Sequence, residues 1–122
     1  AKALGFDLVN PDRVMHYLHY QRAYKTDYEL VCMREANRIA VDGHRAAKSA
    51  FDNGLSEFDI NLAYLGAVRQ GDNQVPYHTI APLNENASIL HYTELATHAP
   101  TYTRSFLIAA AANCNGHDAD AI

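Results

Sequence analysis

Through the middle of the chain Leu30, Met33, Ala36 (or Asn37), Ala40, Gly43, Ala47 and Ala50/Phe51 recur at three- and four-residue spacing. That spacing is one stripe of a helix. Thr26-Asp27-Tyr28-Glu29 has the form of a capping box, a hydroxyl reaching forward and a Glu reaching back. Gly54 supplies the stop. The pattern therefore predicts a helix over residues 27–53. Its stripe is made mostly of small residues, so a neighbour is expected to pack very close to it. Arg34, Glu35, Arg38, Asp42, Arg45 and Lys48 supply the wet side.

Two more helices flank it. Asn10-Pro11 signals a helix start, and residues 11–24 carry Val14, Leu18 and the aromatics Tyr17, Tyr20 and Tyr24. Residues 1–10 read as an extended or loop segment. Ser56-Glu57-Phe58-Asp59 caps a third helix that runs to residue 70, with Phe58, Leu62, Leu65 and Tyr64 as its apolar face.

After Pro76 the period changes. Residues 78–83 and 88–93 read as strands separated by the turn Asn84-Glu85-Asn86. In the second, Ile89, His91 and Thr93 would share one face, with Leu90 and Tyr92 on the other. Residues 104–112 form an apolar run, and Asn115-Gly116 is a hairpin-turn signal before a last strand from His117. Helices followed by antiparallel strands define an α+β chain.

Composition narrows the setting. The chain has 122 residues, one domain's length, and 48% hydrophobic against 20% charged residues excludes a disordered tail. A formal net charge of −4 gives no basic footprint, so neither nucleic acid nor an anionic membrane is expected as a partner. No apolar run approaches a membrane span. Cys32 and Cys114 are too few for a disulfide framework, and a reducing, cytoplasmic setting is expected. The chain lacks a starting Met, so it is read as beginning partway through a longer protein.

Seven histidines invite a metal reading. His16 and His19 stand at i,i+3 on a helix, a spacing able to chelate zinc, but no Cys or carboxylate nearby completes a set. His44, between charged neighbours, reads as surface. Two places rise above these. His91 is either a cleft-facing proton donor or electrostatic stabiliser, or a core His bonded to backbone. Asp118 and Asp120 share a strand face; they either bind a cation or mark an exposed strand end.

Residues 20–26 (Tyr-Gln-Arg-Ala-Tyr-Lys-Thr), 29–36 (Glu-Leu-Val-Cys-Met-Arg-Glu-Ala), 56–60 (Ser-Glu-Phe-Asp-Ile), Val75-Pro76-Tyr77, Leu83-Asn84-Glu85-Asn86 and Ile89-Leu90-His91-Tyr92-Thr93 follow one another in order. Residues 104–108 (Arg-Ser-Phe-Leu-Ile) and Asn115-Gly116 continue the series. Together they resemble the start of the catalytic domain of bacterial proline dipeptidases (Xaa-Pro dipeptidases, prolidases). The likeness is greatest to the branch also called organophosphorus acid anhydrolases, and it covers essentially the whole chain. It implies that residues 1–122 are the N-terminal portion of a pita-bread metallopeptidase domain. A preceding domain would lie before residue 1, and a His and two Glu ligands beyond residue 122.

The resemblance further implies two divalent metal ions, manganese in most members, held by two Asp, one His and two Glu. A metal-activated bridging water would attack the Xaa-Pro amide, and the same site would cleave P–F and P–O bonds of organophosphates. The intact protein would be a homodimer. Asp120 falls on the ligand Asp that bridges the ions. Ala109 falls on the other Asp ligand, within Ala109-Ala110-Ala111-Ala112, where the family reads Asp-Ala-Gly-Ala. Tyr77, Leu90 and His91 fall on substrate-pocket positions, with His91 near the scissile group. His117 and Asp118 replace the family's Tyr and Ala. With Ala at 109, two functional classes stand open: a segment of an active metal-dependent dipeptidase, and a non-catalytic homologue contributing only folding or dimer contacts. The 122 residues alone are expected to be inactive.

Overall fold

A computed structural model describes residues 10–121. The chain divides into two compact units, residues 1–30 and 31–122. The extended segment expected for residues 1–10 lies, up to residue 9, outside the described residues.

In the first unit α1 spans Asp12–Ala23. Pro11 is its N-cap, in extended backbone, and its carbonyl accepts from Val14 N at 2.9 Å and Met15 N at 3.1 Å. The helix buries no residue. Its aromatics pair locally instead: the Tyr20 and Tyr24 rings meet edge to face at 5.3 Å and their hydroxyls lie 2.8 Å apart. The capping box at Thr26 forms as the sequence predicts. Thr26 N donates to Glu29 Oε2 at 2.7 Å, and Glu29 N donates to Thr26 Oγ1 at 3.3 Å.

That box opens α2, Asp27–Asp52. Its buried residues Ala36, Ala40, Gly43, Ala47 and Ala50 belong to the predicted small stripe, with Ala36 rather than Asn37 on the face; Cys32 joins them, while Leu30 and Met33 are half-buried. The opposite side carries Arg38–Glu35 and Lys48–Asp52 ion pairs, both at 2.7 Å and exposed. α3 spans Glu57–Val68, capped by Ser56 Oγ, which accepts from Asp59 N at 3.2 Å. The helix ends two residues before the expected position, with Arg69 taking the left-handed turn at φ 55°. Its inward face also differs from the expected one. Ile60, Tyr64 and Val68 are buried at i, i+4, i+8, whereas Phe58 and Leu62 point outward. The sequence of α3 is apolar nearly all round, so its period could not select a face.

α2 and α3 approach closely at Gly43. A β-carbon there would lie 2.5 Å from Tyr64 Cε2 and 2.6 Å from Val68 Cγ1. Ala36, Ala40, Ala47, Ile60, Tyr64 and Val68 join Ala81, Leu83, Ala110, Ala112 and Ala119 in one core.

The later half pairs antiparallel, with shorter regular strands than predicted. Residues 80–84 and 105–109 run side by side through the bridges Ile80↔Ala109 and Leu83↔Phe106. Ile80 N donates to Ala109 O at 3.0 Å and Ala109 N returns to Ile80 O at 2.9 Å. Beyond this, β1 (Asn113–Cys114) and β2 (His117–Asp118) form the hairpin that Asn115-Gly116 signals, both turn residues at positive φ. Asn113 faces Asp118 within the strands, and the same register continues past them, with Ala110 facing Ala121.

The strand expected at residues 88–93 is absent. Residues Asn84–Ser88 form a 3-10 helix, and a turn follows through His91, whose φ is 55°. Alternation of apolar and polar residues is outweighed here by side-chain capture of the loop. Asn84 Oδ1 accepts from Arg104 N at 2.7 Å, and its Nδ2 donates to Tyr102 O at 2.8 Å.

Candidate active site

All the geometry below lies in the unit of residues 31–122. Ile80, Leu107 and Ala109 of the paired segments, Asp120 after β2, Tyr77 and His78 before the first segment, and the 87–93 loop line a cavity of about 630 Å3. That is the size of a small-molecule pocket. Its walls are largely apolar: Ile80, Ala87, Ile89, Leu90, Leu107 and Ala109. The cavity brings together Tyr77, Leu90, His91, Ala109 and Asp120, residues up to 43 positions apart.

The hairpin register explains two of these placements. Ala110 opposite Ala121 puts Ala111 opposite Asp120. Ala109 is two residues along from Ala111, hence on the same face and diagonal to Asp120. Diagonal neighbours in an antiparallel pair lie roughly 7 Å apart, within reach of facing side chains. A carboxylate at 109 and one at 120 would thus converge from adjacent strands, despite eleven intervening sequence steps.

Asp120 is held from one side. Tyr77 Oη donates to Asp120 Oδ1 at 2.6 Å. Burial, and then that hydrogen bond and the carboxylate's charge, raise the Tyr77 phenol well above the usual tyrosine value. Tyr77 is therefore a proton-bearing donor at neutral pH that fixes one carboxylate oxygen.

His91 stands on the loop. A left-handed backbone at a non-glycine residue costs about 1–3 kcal/mol and persists only where its surroundings enforce it. Leu90, beside it, is 85% exposed, so the cavity is open along this apolar rim. The mid-strand setting expected for His91, with Ile89 and Thr93 as same-face partners, is replaced by this turn; all three still line the cavity.

Asp118 does not line the cavity. It accepts from Asn113 Nδ2 at 2.6 Å across the hairpin. His16 and His19 sit on α1, outside this unit. His44 is half-buried rather than at the surface, its ring edge-on to Tyr64 at 5.5 Å.

Two participants were not predicted. His78 lines the cavity, and its Nδ1 lies 3.0 Å from Asp72 Oδ1. Glu57, only 2% exposed, collects four donors from the segment behind the cavity. An acidic residue in the first turn of a helix is ordinary capping chemistry, so nothing local distinguishes Glu57 from a solvated one.

A pair of metal ions needs several ligands, and the described residues do not supply them. Among them no group of three or more His, Cys, Asp or Glu comes together. Among the described residues Asp120 is the single carboxylate lining the cavity, and Ala109 offers a methyl group. These residues alone do not fit a two-metal centre.

The α+β architecture agrees with the comparison to known proteins. Residues 31–121 match the profile of metallopeptidase family M24, and the chain belongs to that family, whose members use divalent metal. Over 120 residues it is 70% identical to a Xaa-Pro dipeptidase of Pseudoalteromonas atlantica and 61% identical to one of Pseudoalteromonas haloplanktis, in each case 98% of this chain and 27% of the relative. A Xaa-Pro dipeptidase of Pectobacterium carotovorum is 62% identical over 122 residues, 98% of this chain and 28% of the relative. The chain thus spans little more than a quarter of these relatives. Among the described residues no helix is long and apolar enough to cross a membrane.

Proposed function

We propose that these residues form one wall of the substrate pocket of a Xaa-Pro dipeptidase, hydrolysing the dipeptide bond with divalent metal in the full-length protein. The observation that carries this reading is the convergence of Tyr77, Leu90, His91 and Asp120 on one cavity. Identity of 58–70% to relatives named Xaa-Pro dipeptidase supports the substrate class.

Within the pocket, placement and the resemblance together support the following roles. The apolar walls accept a proline ring, with Leu90 at the open rim. Tyr77 orients Asp120, the one metal ligand in this segment. His91, at the open rim, donates a proton or a hydrogen bond to the group under attack. The remaining His and two Glu ligands belong to the part of the protein beyond residue 122. Manganese as the metal, organophosphates with P–F and P–O bonds as alternative substrates and a homodimer complete the reading and rest on the resemblance; a cytoplasmic setting rests on the sparse cysteines.

One observation favours a second reading, a non-catalytic relative with a folding or dimer role: the methyl group of Ala109 where the family has a carboxylate. Kinetics of the full-length protein decide between them. Supplied with manganese, it is expected to release proline from a Xaa-Pro dipeptide faster than it cleaves a Xaa-Ala control. Absence of turnover by both the protein and its Ala109→Asp variant would exclude the enzymatic reading.

A further inference from the structure

Glu57 is buried in the first turn of α3, far in sequence from the cavity, yet every hydrogen bond it receives comes from residues 83–96. Oε1 accepts from Leu83 N at 2.7 Å and Asn86 Nδ2 at 2.9 Å. Oε2 accepts from Tyr92 Oη at 2.9 Å and Ala96 N at 2.8 Å. Tyr92 Oη also accepts from Asn86 Nδ2 at 3.0 Å, tying the two ends of the loop. The donors bracket Leu90 and His91 on both sides: Leu83 and Asn86 before them, Tyr92 and Ala96 after.

We infer that Glu57 is a positioning residue for the pocket: one buried carboxylate clamps the 83–96 loop and fixes where Leu90 and His91 meet the substrate. This rests on reading the cavity as the substrate pocket, but the clamp itself does not depend on turnover. The loop has little regular structure of its own beyond the 3-10 turn of Asn84–Ser88. Of its two left-handed residues, Asn84 and His91, the second sits next to the clamped Tyr92, so the enforcement a strained residue needs is at hand. An unpaired buried carboxylate would be costly; four donors make it stable, and they make the loop's path dependent on it. No cationic side chain approaches the carboxylate among its hydrogen-bond partners, so the loop's own donors are what keep it charged.

The geometry makes a sharp prediction for Glu57→Gln. An amide keeps one acceptor oxygen and turns the other into a donor. The Asn86 amide can turn over, and the Tyr92 hydroxyl can rotate to accept. The backbone N–H groups of Leu83 and Ala96 can do neither. Whichever way Gln sits, one of those two N–H groups faces a donor. Amide hydrogen exchange read by NMR should show either Leu83 or Ala96 exchanging about 10- to 100-fold faster, the size expected for losing a hydrogen bond to a charged group. The His91 ring resonances should shift with it, while the α2 amides of Ala36, Ala40 and Ala47 keep their rates. Tyr92→Phe, which deletes one donor and leaves the carboxylate, should shift the His91 ring in the same sense by less. If Glu57→Gln does not fold, the Tyr92→Phe result stands as the test.

Uniformly faster exchange across α2, α3 and the loop would make Glu57 a general stability element and overturn the inference. Unchanged His91 resonances in both variants would overturn it too. Failure of dipeptide hydrolysis with the clamp intact would count against the pocket reading and leave the clamp standing.

Discussion

Replacing Gly43 by Ala sets two effects of opposite sign against each other, and the structure decides between them. In an unobstructed helix interior, Gly→Ala stabilises by about 1 kcal/mol. Here the added methyl would stand 2.5 Å from Tyr64 Cε2, 2.6 Å from Val68 Cγ1 and 2.8 Å from Tyr64 Cδ2. Comfortable carbon contacts lie at roughly 3.5–4.0 Å, so three contacts fall short by about 1 Å at once. Neither neighbour has room to retreat: Tyr64 is 0% and Val68 5% exposed. Overpacking of this kind costs about 1–3 kcal/mol, and three simultaneous short contacts place it in the upper half of that range. The net expectation is destabilisation by about 1–2 kcal/mol. Urea unfolding followed by far-UV circular dichroism reads this as a lower midpoint at unchanged slope. A variant more stable than the parent would mean that α2 and α3 do not approach at Gly43, and the inward face assigned to both helices would be wrong.

Other expectations follow from the same packing and electrostatics. Ala40→Leu, on the same stripe and 2% exposed, should cost about 1–3 kcal/mol in the same assay, and a change below about 0.5 kcal/mol would place the stripe at a surface. Burial pushes the Glu57 carboxyl up, but the bonds from Ala96, Asn86, Leu83 and Tyr92 outweigh it and hold the group below its ordinary 4.5. Its contribution to stability is therefore present above about pH 4.5 and lost as pH falls through the lower folded-state value; thermal unfolding between pH 6 and 3 should show a steeper loss for the parent than for Glu57→Gln. In the full-length protein carrying Ala109→Asp, His91→Ala should lower dipeptide turnover more than metal content; loss of the metal instead would make His91 a ligand.

The helices were legible because their signals are local. Capping residues Thr26, Glu29, Ser56 and Asp59 act within three residues, and the small stripe of α2 declares its own face. The 88–93 segment departs from its alternating pattern because its conformation is set from afar. Glu57, in the first turn of α3, and Asn84, bonded to Tyr102 and Arg104, shape the loop. No window around Ile89-Leu90-His91 contains those partners. Pattern alone also left His91 and Asp120 open between structural and chemical roles; the likeness to the dipeptidases singled them out, together with Tyr77 and Leu90. His78 and Glu57 had no such pointer, since a single His beside a turn and a Glu in a first helical turn are commonplace in any soluble domain.

We propose that Ala109 and Asp120 stand at two adjacent ligand positions of one metal site, with a carboxylate present only at the second. Equilibrium dialysis of the full-length protein against manganese, with metal analysis of parent and Ala109→Asp, tests it most directly. The diagonal placement across the hairpin predicts that the carboxylate at 109 raises metal content from about one toward about two ions per chain, as expected for a restored two-metal site. Equal metal content in parent and variant would contradict the assignment of position 109 and, with it, the register-based account of the site.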